Sequence, residues 1–144
     1  MSSTPTLHDI ARALVAEPAW RWMPGMRVET LIEPCRIIEA PPRASSLVVA
    51  VGRPGGHTVV AIHRDAHMLP DLTDAATLGC VLALCREASR TPTMHALPQS
   101  WRGEVRWRVA SARLVVGGEH PSEAAALLAA LRLCPAPVTT KETP

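Results

Sequence analysis

The stretch LVVAVGRPGGHTVVAI, residues 47–62, contains two runs of mostly β-branched residues separated by a linker of glycine, arginine and proline. Branched side chains favour extended backbone, and a short linker rich in glycine and proline suits a hairpin. The stretch therefore predicts two antiparallel strands over 47–51 and 57–62. This hairpin is the strongest sign that the chain contains an antiparallel sheet.

Three other segments show helical patterns. Thr6 precedes an apolar stripe with i, i+3, i+4, i+7 spacing, which predicts a first helix capped by that threonine. A second helix is predicted over about 72–88, with Asp71 or Thr73 as its cap. It is apolar nearly all the way round, which favours a buried position. A third helix is predicted from Pro121, a residue that suits the first helical position.

The remaining segments complete the predicted fold. Residues 28–38 predict one or two short strands interrupted at Pro34, residues 91–100 an irregular connection, and residues 104–116 one long strand. This order of elements predicts an α+β fold: a mainly antiparallel sheet of about four to five strands packed against three helices, with the central helix buried.

We expect one α+β domain over residues 1–134 and a disordered tail over 135–144. The tail reads PAPVTTKETP and offers little apolar surface to offset the entropy lost on ordering.

Composition excludes several classes of protein. The 144 residues are 47% apolar and 19% charged, with a formal net charge of +2, which does not fit a disordered chain. There is no run of roughly 20 apolar residues, which a membrane span requires. The first residues, MSSTPTLHDIARALV, lack a basic stretch leading into an apolar segment, so a cytoplasmic location is predicted.

The abundance of arginine indicates the base composition of the genome rather than a binding function. Of the 15 basic residues only Lys141 is a lysine, and Phe, Tyr and Asn are absent, which indicates a G/C-rich genome. Residues 86–113 hold six arginines against Glu87 and Glu104, a local excess of four positive charges. Dedicated nucleic-acid binders carry denser basic clusters.

The four cysteines predict no site. Cys35, Cys80, Cys85 and Cys134 form no CxxC pair. We expect them to be buried, inert thiols; a redox or metal role that requires partners distant in sequence is the alternative.

Two stretches carry a resemblance to a known group. WRWMPGM (20–26) and LPDLTDAATLGCVLALCREA (69–88) resemble small proteins of tailed bacteriophages and prophages that combine a WMPGM corner with an LPDLTD-x-ATLGC-x-LAL-x-REA motif. Ala75 stands where that motif has proline, and Cys85 where it has valine. The group has no assigned activity, so the resemblance implies a phage or prophage origin and no catalytic residues.

A cluster of histidines is the first place to look for chemistry. His63, Asp65 and His67, with Asp71 or Asp74 as a further oxygen ligand, could form a mixed nitrogen and oxygen site of the kind that binds Zn or Mn. The preferred interpretation is that these are surface loop histidines, with no metal and no cofactor. The chain contains no G-x-S-x-G, phosphate-loop or dinucleotide-binding motif, so no catalytic residue is predicted.

The segment WRGEVRWR, residues 101–108, is the better candidate for binding. Strand alternation predicts Val105, Trp107 and Val109 inward and Glu104, Arg106 and Arg108 outward. Trp and Arg are the side chains most enriched at the energetic centres of protein interfaces. The predicted partner-binding residues are Trp101, Arg102, Arg106 and Arg108; a solvated strand face is the alternative.

The leading hypothesis is a non-enzymatic phage or prophage protein that binds a host or phage protein, a host-defence factor being one such partner. The first alternative is a phage accessory protein that contacts nucleic acid through Arg102, Arg106, Arg108 and Arg113. The second is a metal-dependent enzyme using His63 and His67. No membrane partner is predicted, and whether the chain forms a homodimer is left open.

Overall fold

The computed structural model describes residues 4–30, 33–42, 44–65, 67–112 and 114–134. These residues form two compact units, residues 4–15 with 21–81 and residues 16–20 with 82–134. That residues 1–134 form a single domain stays a prediction, and the predicted disordered tail, 135–144, lies outside the described residues.

The first unit contains a five-stranded antiparallel sheet and a helix. Helix α1 spans Leu7–Val15, and the strands are β1 (Arg27–Glu29), β2 (Cys35–Glu39), β3 (Ser46–Arg53), β4 (Gly56–His63) and β5 (Leu69–Pro70). Their order across the sheet is β4-β3-β2-β1-β5. The predicted hairpin over 47–62 is confirmed as β3 and β4, and the break predicted at Pro34 separates β1 from β2.

Alternating side chains of this sheet form the core of the first unit. Val28, Leu47 and Val49 are fully buried, and so is Leu14 on the apolar stripe of α1. Burying a Leu or Val side chain fully contributes about 1.5–3 kcal/mol to stability. These residues therefore supply the main driving force for folding of the first unit.

Helix α2, Ala75–Ser89, begins in the first unit and ends in the second. It confirms the predicted central helix. Its burial is concentrated on one face, which carries Thr77, Val81, Leu84 and Cys85. The other face is exposed but carries small apolar residues such as Ala75, Ala76 and Gly79, so the sequence alone did not distinguish the two faces.

The second unit contains a three-stranded antiparallel sheet, β6 (His95–Trp101), β7 (Glu104–Ser111) and β8 (Leu114–His120), in the order β6-β7-β8, and helix α3 (Glu123–Leu133). Helix α3 packs on the sheet through buried alanines and leucines, among them Ala126 and Leu127. Fully buried Val109 lies on β7. A Cβ atom added to Gly117 on β8 would lie 3.1 Å from the Cβ of Ala129 on α3, so glycine permits this close packing.

The α+β fold class is confirmed, with eight antiparallel strands among the described residues. Some details of the prediction are wrong. Residues 91–94 are irregular as predicted, but residues 95–100 belong to β6, which tolerates Pro98 at a sheet edge. Residues 104–116 are not one strand, because the chain turns between β7 and β8. The first residue of α3 is Glu123, since Ser122 Oγ accepts a hydrogen bond from Ala125 N at 3.2 Å and caps the helix.

No helix in the described part of the chain is long and apolar enough to span a bilayer.

Candidate protein-binding surface

A tight turn joins β6 to β7 and positions two of the predicted binding residues. Trp101 pairs with Glu104, leaving Arg102 and Gly103 as a two-residue loop. Their φ angles are 50° and 83°, both positive, as a type I′ hairpin turn requires. Glycine adopts this conformation freely, whereas a non-glycine residue held there costs about 1 kcal/mol or more.

The hairpin projects into solvent at this turn. Residues 100–106 are all exposed, on both faces of the two strands. Trp101 is 68% exposed, the largest exposed fraction among the exposed large hydrophobic side chains of the described residues. The guanidinium carbon of Arg102 lies 5.9 Å from the centre of the Trp101 ring, within range of a cation–π contact. The tip therefore presents an exposed indole held beside an arginine.

The strand register places the other predicted residues on the same face. Gln99 pairs with Arg106 and Leu97 with Arg108, and paired residues share a face with those two positions away. Trp101 and Glu104 thus lie in line with Arg106 and Arg108. We call Gln99, Trp101, Arg102, Glu104, Arg106 and Arg108 the hairpin-tip surface.

Two arginines of the hairpin-tip surface, Arg106 and Arg108, have hydrogen-bonded side-chain partners. Arg106 Nη2 donates to Glu104 Oε2 at 3.0 Å, in an ion pair exposed on both sides. With the Gln99 amide oriented so that its oxygen faces the guanidinium, that oxygen accepts from Arg108 Nε at 3.2 Å and Nη2 at 2.7 Å. Exposed pairs of this kind contribute less than about 1 kcal/mol each to stability, so they orient the arginines more than they stabilise the fold.

The opposite face of the hairpin confirms part of the predicted alternation. Val109 is fully buried and Trp107 is half-buried, as predicted. Val105 was expected inward and is instead 57% exposed. Val105 pairs with Ser100, and this pair is next to the Trp101–Glu104 pair that closes the turn. It therefore lies in the part of the hairpin that is exposed on both faces.

The metal site considered as an alternative at His63, Asp65 and His67 is not assembled among the described residues. His63 Nδ1 lies 2.8 Å from the carbonyl of Arg64, and Asp65 Oδ1 accepts from the backbone of His67 at 2.9 Å. Among the described residues no group of three His, Cys, Asp or Glu side chains is arranged to hold a metal ion. The two further carboxylates considered as ligands have other partners. Asp71 binds Thr73 and Arg27. Asp74 binds Arg36 and Thr77.

Several residues of the stretches 20–26 and 69–88 are linked by hydrogen bonds in the first unit. Arg36 Nη1 donates to the carbonyl of Gly25 at 2.6 Å and its guanidinium also binds Asp74. The backbone N–H of Arg27 donates to Thr77 Oγ1 at 2.8 Å, and Cys80 Sγ donates to the carbonyl of Pro24 at 3.6 Å. These contacts hold residues 24–27 against the start of α2. Sequence reasoning missed this cluster because Arg36 lies in neither stretch.

Asp74 is the cap of α2, in place of the predicted Asp71 or Thr73. Its Oδ2 accepts from Thr77 N and Thr77 Oγ1, both at 2.9 Å. Hydrogen bonds from Arg36, followed by those from Thr77, lower the pKa of Asp74 to about 2. The carboxylate is thus ionised across the physiological range and serves the fold.

The cysteines are free thiols, and two of the four are buried. Burial raises the pKa of Cys85 to about 12, and its Sγ donates to the carbonyl of Leu127 at 3.5 Å. Burial also raises the pKa values of Cys35, Cys80 and Cys134. The expectation of full burial is met at Cys35 and Cys85, whereas Cys80 and Cys134 are partly exposed.

The second unit also contains an open groove of about 340 Å³, lined by Ser89, Thr91, Met94, Ser111, Val115, Val116, Gly117, Leu133 and Cys134. None of these residues is charged, and Cys134 Sγ already donates to the carbonyl of Ala130 at 3.2 Å. The hydroxyls of Ser89 and Thr91 donate to backbone carbonyls, and these lining residues offer no charged group to orient a small-molecule ligand.

Comparison of the chain with protein-family models, with curated proteins and with solved structures found no match in any of the three. The resemblance of residues 20–26 and 69–88 to phage proteins therefore stays a prediction.

Proposed function

We propose that this protein is a non-catalytic binding protein that recognises another protein through the hairpin-tip surface. The single observation that carries the proposal is the exposure of Trp101 at the end of a projecting hairpin, with Arg102 beside its ring. An indole gains the most from burial of any side chain and is costly to leave in water, so its place at the tip favours contact with a partner.

The partner is expected to be acidic with an apolar recess. Three guanidiniums and one carboxylate give the hairpin-tip surface an excess of positive charge. Trp101 is the anchor that fills the recess, and the arginines are the rim that pairs with partner carboxylates. A rim of this kind adds more to the association rate and specificity than to affinity.

Nucleic acid is the weaker alternative. Nucleic-acid binding draws much of its affinity from many phosphate contacts. The hairpin-tip surface holds three arginines beside Glu104, which would supply few such contacts. Arg113, the fourth residue of that hypothesis, lies outside the described residues.

The setting of the function rests on the resemblance of residues 20–26 and 69–88 to phage and prophage proteins. On this basis the protein acts in the cytoplasm of a bacterial host. Its partner is then a host or phage protein, and a host-defence factor that the phage inhibits is the partner we propose to test first.

The test compares capture of host proteins by three immobilised proteins: the wild type, Trp101→Ala and the control Val115→Ala. Val115 is another large apolar residue exposed on a strand of the same sheet. We expect the wild type and the control to capture the same protein, and Trp101→Ala to lose it. Capture that survives Trp101→Ala, or that disappears when the lysate is treated with nuclease, would contradict the proposal.

A further inference from the structure

The four sheet edges of the described residues differ in how they are protected from pairing with another chain. Strand β5 is two residues long and ends in Pro70, and β6 contains Pro98. Strand β8 contains Gly117 and Gly118, both with positive φ, which interrupt its extended backbone. Short strands, prolines and local irregularities are the usual means of blocking edge-to-edge association.

Beyond Gly56, which has a φ of 154° at the hairpin end, strand β4 has none of these features. It occupies the outer position of the five-stranded sheet and runs for eight residues, Gly56–His63. Its sequence, GHTVVAIH, contains no proline and no Asp, Glu, Lys or Arg. An edge of this length presents about 26 Å of strand with every second residue directing its backbone N–H and C=O outward.

The side chains of β4 are also available for contact. Five of its residues beyond Gly56 are exposed, and Val59 is 53% exposed. Val60 and Ile62 on the core side are only half-buried, although their partners Val49 and Leu47 on β3 are fully buried. The core side of the sheet is therefore apolar up to its edge and is incompletely covered there.

An antiparallel pairing of β4 with a second β4 can be centred on Val60. Antiparallel pairing of two copies about a two-fold axis at that residue places Val60 opposite its counterpart and Val59 opposite Ala61. The outer pairs are Thr58 with Ile62 and His57 with His63. None of these pairs opposes two carboxylates, lysines or arginines, so a second copy fits this edge without a complementary charged partner.

We propose that β4 pairs antiparallel with β4 of a second copy, which joins two five-stranded sheets into one ten-stranded sheet. The contact is narrow compared with the roughly 1,200–2,000 Å² that stable interfaces bury. A reversible dimer is therefore expected, with a dissociation constant on the order of micromolar.

A charge-swap experiment tests the pairing. Val59→Lys/Ala61→Lys and Val59→Glu/Ala61→Glu alter two exposed side chains that face each other across the proposed axis. Sedimentation equilibrium is expected to show a dimer for the wild type and a monomer for each double variant, because like charges then oppose each other. An equimolar mixture of the two variants is expected to form a heterodimer.

Val105→Lys/Val115→Lys is the matched control, since it places two lysines at exposed strand valines of the other sheet. It is expected to dimerise as the wild type does. Thermal unfolding establishes that each variant is folded. A wild type that stays monomeric at high micromolar concentration, a lysine variant that stays dimeric, or a mixture of folded variants that stays monomeric would each overturn the proposal.

Discussion

The guanidinium of Arg36 binds both carboxylate oxygens of Asp74, with Nη2–Oδ1 at 2.8 Å and Nη1–Oδ2 at 3.1 Å. Nη1 of the same arginine donates to the carbonyl of Gly25. One side chain on β2 thus connects the 20–26 corner to the first residue before α2. Gly25, in the stretch 20–26, and Asp74, in the stretch 69–88, are therefore parts of one structural cluster.

The Asp74 carboxylate is expected to make stability depend on pH. Its pKa is lowered from 3.8 to about 2, so the folded state binds a proton less readily than the unfolded state. The stabilisation by the Asp74 carboxylate is fully present above its pKa in the unfolded state, and it is lost as the pH falls through its pKa in the folded state. With allowance for the half-exposed Arg36, Asp74→Asn is expected to cost about 1–2 kcal/mol at neutral pH and almost nothing near pH 2. Urea unfolding at the two pH values measures both differences.

The control is Glu119→Gln, which changes an exposed carboxylate. Equal stability of the wild type and Asp74→Asn at neutral pH would refute the role of the ion pair.

Two glycines are expected to respond in opposite directions to alanine. Gly25 has a φ of 95°, so Gly25→Ala is expected to destabilise the protein by about 1–2 kcal/mol. Gly79 lies on the exposed face of α2 with open space around it, so Gly79→Ala is expected to stabilise by about 0.5–1 kcal/mol. Thermal unfolding of the two variants tests the pair. Destabilisation by Gly79→Ala would show that the exposed face of α2 is covered by another part of the protein.

Arginine at position 102 is expected to make the protein less stable than the residue type that suits this turn would. Asn adopts positive φ more readily than Arg and is common before Gly in type I′ turns, so Arg102→Asn is expected to raise stability by about 0.5–1 kcal/mol and to weaken partner binding. Arg90, with a φ of 54°, is the matched control. Arg90→Asn is expected to bring a similar gain with no change in binding. Unfolding and binding are measured for both variants, and equal loss of binding by the two would argue against a specific role for the tip.

The Cys85 thiol is expected to be unreactive in the folded protein. Burial raises its pKa to about 12, so little thiolate is present at mildly alkaline pH. Cys85→Ala is expected to leave the number of thiols labelled in the native protein unchanged and to lower the number labelled in denaturant by one. A native protein that loses one labelled thiol on this substitution would show that the interior around Cys85 opens readily.

The sequence predicted elements whose signals are local. The stripe after Thr6 identified α1, and the two β-branched runs around a Pro-Gly turn identified β3 and β4. The hairpin of β6 and β7 was missed in part because its turn is Arg102-Gly103, whereas the usual signal is Asn-Gly and this chain contains no Asn. Pro98 obscured β6 further, because proline is compatible with a strand only at an edge.

The sequence identified residues of the candidate site but not their pairing or the projection of the hairpin. Spacing placed Arg106 and Arg108 on one face of a strand, and the register confirms that arrangement. The pairing of Arg108 with Gln99 and the projection of residues 100–106 depend on which strand lies beside β7 and on where packing ends. The Arg36–Asp74 pair joins residues 38 positions apart, and no local pattern identifies such a partner.

The most direct test of the proposed function is the affinity of the captured partner for Trp101→Ala, measured by calorimetry beside the wild type and Val115→Ala. Truncating a central interface Trp typically costs about 2 kcal/mol or more, so we expect affinity to fall roughly 30-fold or more for Trp101→Ala. Val115→Ala is expected to bind as the wild type does. A folded Trp101→Ala variant with unchanged affinity would contradict the account.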